Sequence, residues 1–147
     1  MGNIIFLKNW ISLNKSYLPN FMAIENVLYQ KQYDSHTTGE RVIVTLINGD
    51  ITGFSPEQVR IAQVKQNTTL GGHWREYPEL YGIIGKALFT LEDVDTKKRI
   101  EHQLATGDRL FIPAKVALKI QATRDTVITV CSSKANRDEK THKYIIS

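Results

Sequence analysis

The sequence predicts an all-β domain, on three observations. From Glu40 onward apolar residues recur with a period of two in short runs, the spacing that puts alternate side chains on one face of a strand. Gly, Asn, Asp and Pro interrupt those runs at intervals of about eight to twelve residues, the cadence of a sandwich or barrel. Between the runs no stretch holds a helical period over the ten or so positions a helix needs. At 147 residues a single domain is expected, able to bury roughly 70% of the surface its unfolded chain exposes.

The expected organisation is an N-terminal arm over 1–38, a barrel over 39–135 and a polar tail over 136–147 that frays or wraps. In the arm, Asn20 to Lys31 fits two descriptions equally: a short amphipathic helix, or an edge strand with a turn. Either way Leu18, Phe21, Ile24 and Leu28 need apolar cover, from the main body or a second subunit. Arg41–Ile47 is β-branched and ends at Asn48-Gly49-Asp50, residues that tolerate positive φ. Gln58–Lys65 is the next strand, stopped by Asn67-Thr-Thr and Gly71-Gly72. Glu79–Ile84 and Lys86–Leu91 meet at Gly85, and Asp93–Lys97 is a polar hairpin turn. Arg99–Leu104, Arg109–Ile112, Val116–Gln121 and Thr126–Ser132 complete the series.

Composition bounds the function from outside. The net charge of +4 favours anionic partners only mildly. Its one dense basic cluster, Lys97 to Arg99, sits beside Glu92, Asp93 and Asp95, which reads as a solvated face and not as a nucleic-acid site. Cys131 is the only cysteine, so no intramolecular disulfide forms and a thiolate metal cage is excluded. No run approaches the roughly 18–20 apolar residues of a membrane span. The apolar start at Met1–Ile11 lacks a basic leader and a small-residue cleavage site. A cytoplasmic protein with no nucleic-acid or membrane partner is expected.

The densest chemistry lies in Gly71-Gly-His-Trp-Arg-Glu-Tyr-Pro-Glu79, read as a glycine-opened bend at a pocket rim. Within a strand His73 and Arg75 share one face while Trp74 points away, and Glu79 and Tyr81 share a face on the next strand. If those faces line a barrel, they converge with Leu118 near its mouth, giving a part-polar, part-apolar pocket suited to a small ligand. Gly107-Asp-Arg-Leu-Phe-Ile-Pro113 supplies Asp108 and Arg109, which are expected to pair with each other at the surface unless Arg109 turns inward as a further phosphate contact. Trp74 could stack on a sugar or a base, or simply cover an apolar edge. His102 shares a face with Ile100 and Leu104, the setting of a core histidine.

Residues 58–132 resemble a cupin, the small double-stranded β-helix or jelly-roll barrel. In its first motif His73 matches the first histidine, Arg75 replaces the second, and Glu79 matches the carboxylate. Asn67 stands at the opening glycine, and Gly85 closes the motif one residue early. In the second, Gly107 and Pro113 match, Lys115 replaces a glycine, and Leu118 stands where a histidine belongs. The resemblance implies a possible metal site, but only His73 and Glu79 occupy ligand positions. Arg75 brings a fixed positive charge with no lone pair, and a catalytic metal usually has three protein ligands. The expectation is a barrel without the usual metal or any other cofactor.

The set is similar to small cupins of polysaccharide biosynthesis, which include metal-free epimerases and isomerases of nucleotide-linked keto sugars. Gly72 to Tyr81 also resembles elements of the metal-dependent, cupin-type phosphoglucose isomerases. The first likeness implies a sugar or sugar-nucleotide ligand, with His73 as base and Tyr81 as acid, and Arg75, Glu79, Trp74 and Arg109 as binding residues. Two alternatives stay open: a non-catalytic ligand-binding or regulatory cupin, and a metal-dependent enzyme of the phosphosugar isomerase or oxygenase type. Exposed strand edges in small barrels are often closed by pairing, so a homodimer is expected.

Overall fold

A computed structural model describes residues 23–50, 53–135 and 138–147. Three short strands come first: β1 (Leu28–Gln30), β2 (Ser35–Thr37) and β3 (Val42–Val44). Nine more follow: β4 (Gln58–Val64), β5 (Thr69–Arg75), β6 (Glu79–Ile84), β7 (Lys86–Asp93), β8 (Arg99–Ala105), β9 (Arg109–Ile112), β10 (Val116–Ala122), β11 (Thr126–Ser132) and β12 (Thr141–Lys143). Among the described residues the helical content is a single 3-10 turn at Asp138–Lys140. Two antiparallel five-stranded sheets result, in the orders β1-β9-β6-β11-β4 and β12-β5-β10-β7-β8, with β2-β3 as a separate hairpin. The architecture is all-β, as the alternation predicts, and its two packed sheets form the jelly roll that the cupin resemblance implies.

Each sheet sends one face inward. Tyr81, Ile83, Leu110 and Ile128 of the first sheet pack with Phe89, Leu91, Leu118 and Ile120 of the second in one apolar core, and each such side chain contributes about 1.5–3 kcal/mol on burial. The outer face of the first sheet carries a smaller cluster, Phe54, Leu80, Phe111 and Cys131, covered by Leu28, Leu46 and Ile47. Of the two descriptions open for Asn20–Lys31, its residues from 23 onward take the edge strand: β1 pairs with β9. Leu18 and Phe21 lie outside the described residues.

Two expectations need correction. Gly71 and Gly72 do not open a bend; they form a bulge inside β5. Leu118 pairs with His73 but Lys119 pairs with Gly71, so Gly72 is the extra residue. Leu70 and His73, three positions apart, would face opposite ways on a regular strand. The bulge absorbs one residue, so Leu70 packs on the core and His73 pairs beside core Leu118. Gly71 has φ +97°, and a Cβ there would stand 2.3 Å from the Leu118 carbonyl oxygen, so glycine is required. Second, Asp108 and Arg109 do not pair with each other at the surface. Both are fully buried and bind the arm: Asp108 accepts from the Tyr29 hydroxyl at 3.0 Å and the Gln32 amide at 2.8 Å.

Candidate functional site

The inner face of β5 meets the inner ends of β6 and β11 at one mouth of the barrel, where the sequence concentrates its charge. Glu79 opposes Ser132 in the register of β6 and β11, and the turn between β5 and β6 brings it back beneath Arg75. Arg75 Nε donates to Glu79 Oε1 at 3.0 Å, and its Nη1 donates to the Tyr77 hydroxyl at 3.1 Å and to Thr141 Oγ1 at 2.7 Å. Tyr81 donates its hydroxyl proton to Glu79 Oε1 at 3.0 Å, and Ser132 donates to Oε2 at 2.8 Å. Arg75 and Glu79 are both buried, and a buried ion pair needs these additional hydrogen bonds to offset desolvation.

His73 stands on the same face as Arg75. Its Nε2 is buried with no hydrogen-bond partner, while the ring also hydrogen-bonds the Gly71 backbone. Burial, followed by the Arg75 guanidinium, pushes its pKa below the usual histidine value, against the weaker upward pull of Glu79. The neutral ring therefore carries a lone pair at a buried atom with nothing to accept from, the state a proton acceptor requires. Tyr81 is the reverse case. Burial and then Glu79 raise its pKa well above the usual phenol value, so its proton stays on the bond to Glu79.

His73, Arg75, Glu79 and Tyr81 thus come together as the alternation rule implies, and two other candidates stand apart. Trp74 lies on the opposite face of β5 and stacks on His142 of β12, with ring centroids 4.1 Å apart and planes at 20°. Arg109 lies with Phe111 on the outer side of β9, held by Gln30 Oε1 at 3.0 Å, the Leu46 carbonyl at 2.8 Å and Asp50, with Tyr33 over its guanidinium. His102 faces the core edge, stacked on Tyr29 at 4.7 Å. Sequence reasoning passed over three residues of the mouth: Ser132, Thr141 and Arg60. Arg60 and Ser132 were legible in principle, since both fall on the inward parity of their strands, opposite Val130 and Glu79. Thr141 was not, because nothing in a polar tail announces that it will pair with β5.

The donor set does not suit a divalent cation. Both Glu79 oxygens already accept protein hydrogen bonds, and a guanidinium and a leucine occupy the other two positions where a cupin ligand would stand. Among the described residues no group of three or more His, Cys, Asp or Glu side chains is placed to hold a metal.

No protein-family profile matches the chain, and no curated protein matches it by sequence. Solved structures do match. A 3,4-ketoisomerase from Thermoanaerobacterium thermosaccharolyticum, solved as a histidine-to-asparagine mutant with TDP-4-keto-6-deoxyglucose, aligns with TM-score 0.67 and 18% identity, over 81% of this chain and 88% of its own. The dTDP-4-dehydrorhamnose 3,5-epimerase of Sulfolobus tokodaii aligns with TM-score 0.69 and 13% identity, over 80% and 76%. A 3'-monoepimerase from Streptomyces bikiniensis, in complex with dTDP-quinovose, aligns with TM-score 0.68 and 16% identity, over 82% and 70%. At these identities the likeness is one of fold, and the fold is the cupin jelly roll that these sugar-nucleotide epimerases and isomerases share.

Proposed function

We propose that this chain is a sugar-nucleotide isomerase or epimerase that works by acid/base chemistry without a metal, with His73 as its base. The observation that carries the reading is the buried, unpartnered Nε2 of a neutral-leaning His73, beside a rigid Arg75–Glu79 pair at the barrel mouth. A C–H next to a sugar ketone is acidic enough for such a base to remove its proton, leaving an enolate. Delivery of a proton from a second group to the other face of that carbon, with the abstracted proton left on His73, epimerises it; return of the abstracted proton to the former carbonyl carbon, after a hydroxyl proton shift, moves the ketone. The neighbours in complex with TDP-4-keto-6-deoxyglucose and dTDP-quinovose are a 3,4-ketoisomerase and a 3'-monoepimerase, which supports a nucleotide-linked keto sugar as substrate.

In this reading Glu79, Arg75, Tyr81 and Ser132 form a frame that holds the charge pattern around His73. Tyr81 would serve as acid only by leaving Glu79, so its first task here is to hold that carboxylate. A different observation favours a second reading, a non-catalytic sugar-nucleotide binder: Arg75 and Tyr81 are both engaged within the protein. His73→Asn separates the two. With TDP-4-keto-6-deoxyglucose as substrate, turnover should fall by about 10²–10⁴-fold while binding by calorimetry stays within a few-fold. Undiminished turnover in that variant would refute the assignment of His73; binding without turnover in the unmodified protein would establish the second reading.

A homodimer is part of the proposal. Strand β4 is an edge of its sheet, and its outer face presents Val59 at 56% and Ile61 at 71% exposure, with Ile84 at 38% nearby. An apolar sheet edge of this kind is a pairing surface. We place the protein in the cytoplasm, consistent with a buried, unpaired Cys131; no described helix is long and apolar enough to cross a membrane.

A further inference from the structure

Four arginines lie in the strands of the barrel wall; Arg99 is paired with Glu92 on β7, and the other three differ in what they are free to do. Arg109 is locked against the arm on the outer side of its sheet. Arg75 is 8% exposed and held by Glu79, Tyr77 and Thr141. Arg60 is on the inward parity of β4, opposite Val130, which in turn opposes Tyr81. Its side chain is 41% exposed, and its nearest carboxylate contact is Nη2 to Glu79 Oε2 at 3.8 Å, too long for a hydrogen bond. Its Nε is buried and makes no hydrogen bond.

The charges at the mouth do not balance. Glu79 offers one negative charge, and its oxygens already accept from Arg75, Tyr81 and Ser132. Two guanidiniums face that single carboxylate, and His73 does not supply a compensating group. The surplus positive charge sits on Arg60, which is half open to solvent. Of the two buried side-chain atoms without a hydrogen-bond partner among the described residues, one is Nε2 of His73 and the other is Nε of Arg60. One lacks a proton to accept and one lacks an acceptor for its proton, and both belong to side chains at one mouth. A ligand that supplies both would carry an oxyanion toward β4 and a removable proton toward β5.

We infer that Arg60 is the ligand-facing cation of this site, docking the anionic group of the substrate on the inner face of β4 at the barrel mouth while the sugar reaches inward to His73. Arg75, by contrast, is a fixed counter-charge of the protein itself. The inference rests on the sugar-nucleotide reading and deepens it, because it names which guanidinium meets the ligand and from which side the ligand enters. A guanidinium recognises phosphate and carboxylate by the same forked geometry, so the oxyanion has two possible sources, a diphosphate linkage or a sugar carboxylate.

The test is calorimetric titration of the full chain and of Arg60→Gln, Arg60→Met and Arg60→Lys, with thymidine diphosphate, thymidine and glucuronate as probes. If the oxyanion is a diphosphate, thymidine diphosphate binds the unmodified protein and weakens at least tenfold in Arg60→Gln and Arg60→Met. Arg60→Lys then recovers part of the loss, and thymidine binding is unchanged throughout. If it is a carboxylate, glucuronate shows that pattern in place of thymidine diphosphate. Circular dichroism of Arg60→Gln, the variant closest in shape, confirms that the barrel is intact. Equal affinity of Arg60→Gln and the unmodified protein for thymidine diphosphate and for glucuronate overturns the role of Arg60 and leaves the sugar-nucleotide reading standing. Failure of the unmodified protein to bind any of the three probes overturns both.

Discussion

Replacing Glu79 by Gln tests how far the Arg75–Glu79 pair holds the barrel mouth together. The amide keeps the volume of the side chain, and its oxygen can still accept from Arg75 Nε, where the two now meet at 3.0 Å. Ser132 can reverse its bond and accept from the new amide at the position where it now donates at 2.8 Å. Shape and hydrogen-bond count therefore change little, and what is lost is the negative charge opposite a guanidinium only 8% exposed. Removing one member of a buried pair costs about 3–5 kcal/mol. The bonds of Arg75 to Tyr77 and Thr141 survive, which puts the expectation near the lower end, about 3 kcal/mol. For a chain of this size that lowers the melting temperature by roughly 6–12 °C. Urea denaturation measures it directly, with Arg75→Met combined with Glu79→Gln as the control: removing the orphaned charge should restore most of the loss. A Glu79→Gln cost below about 1 kcal/mol, the range of an exposed pair, would refute the claim that this pair is desolvated.

Three further outcomes follow from the same structure. The His73 pKa is held below the usual histidine value, chiefly by burial and then by Arg75, so the acid limb of kcat/KM should fall below the ordinary histidine range. Because the folded-state pKa is the lower one, the neutral ring contributes stability above the unfolded value of about 6.5, and this is lost as pH falls through the folded value. NMR titration of the imidazole checks both statements, and a His73 titrating above pH 7 would contradict them. Gly71→Ala should cost at least about 1–2 kcal/mol for the left-handed backbone alone, plus the clash with the Leu118 carbonyl; urea melts give the cost, and loss of ligand binding in the folded fraction would show that the bulge aims His73. Ile61→Lys should leave stability within about 0.5 kcal/mol and convert a dimer to a monomer by light scattering, whereas an unchanged mass would place the interface elsewhere.

Much of the barrel was legible because the alternation rule is strong where one face of a strand is buried. Glu79–Ile84, Arg109–Ile112 and Thr126–Ser132 begin and end where the pattern puts them. Arg41–Ile47 was read too long: β3 covers only Val42–Val44 and pairs with β2 alone, because Leu46 and Ile47 leave the hairpin to cover the outer face of the first sheet. β5 was hidden for a different reason. Two glycines suggest a turn, and only pairing with β10 shows that they are an extra residue within a strand. In the site, local parity finds His73, Arg75, Glu79 and Tyr81, but contacts distant in sequence are invisible to it. Nothing near Arg109 says that Gln30 and Asp50 will hold it, and nothing near Trp74 says that His142 will stack on it.

The pairing of β5 with β12 also bears on the order in which the molecule acquires its parts. The bond from Arg75 to Thr141 spans 66 positions, and β1 meets β9 across a comparable distance in the chain. Barrels made of such distant partners fold slowly, in roughly milliseconds to seconds, because each closure costs chain entropy before any contact offsets it. Until β12 docks, β5 is a bare edge and Arg75 lacks one of its partners. During refolding, recovery of strand signal by circular dichroism should therefore run ahead of recovery of ligand binding, with the tail setting the interval between them.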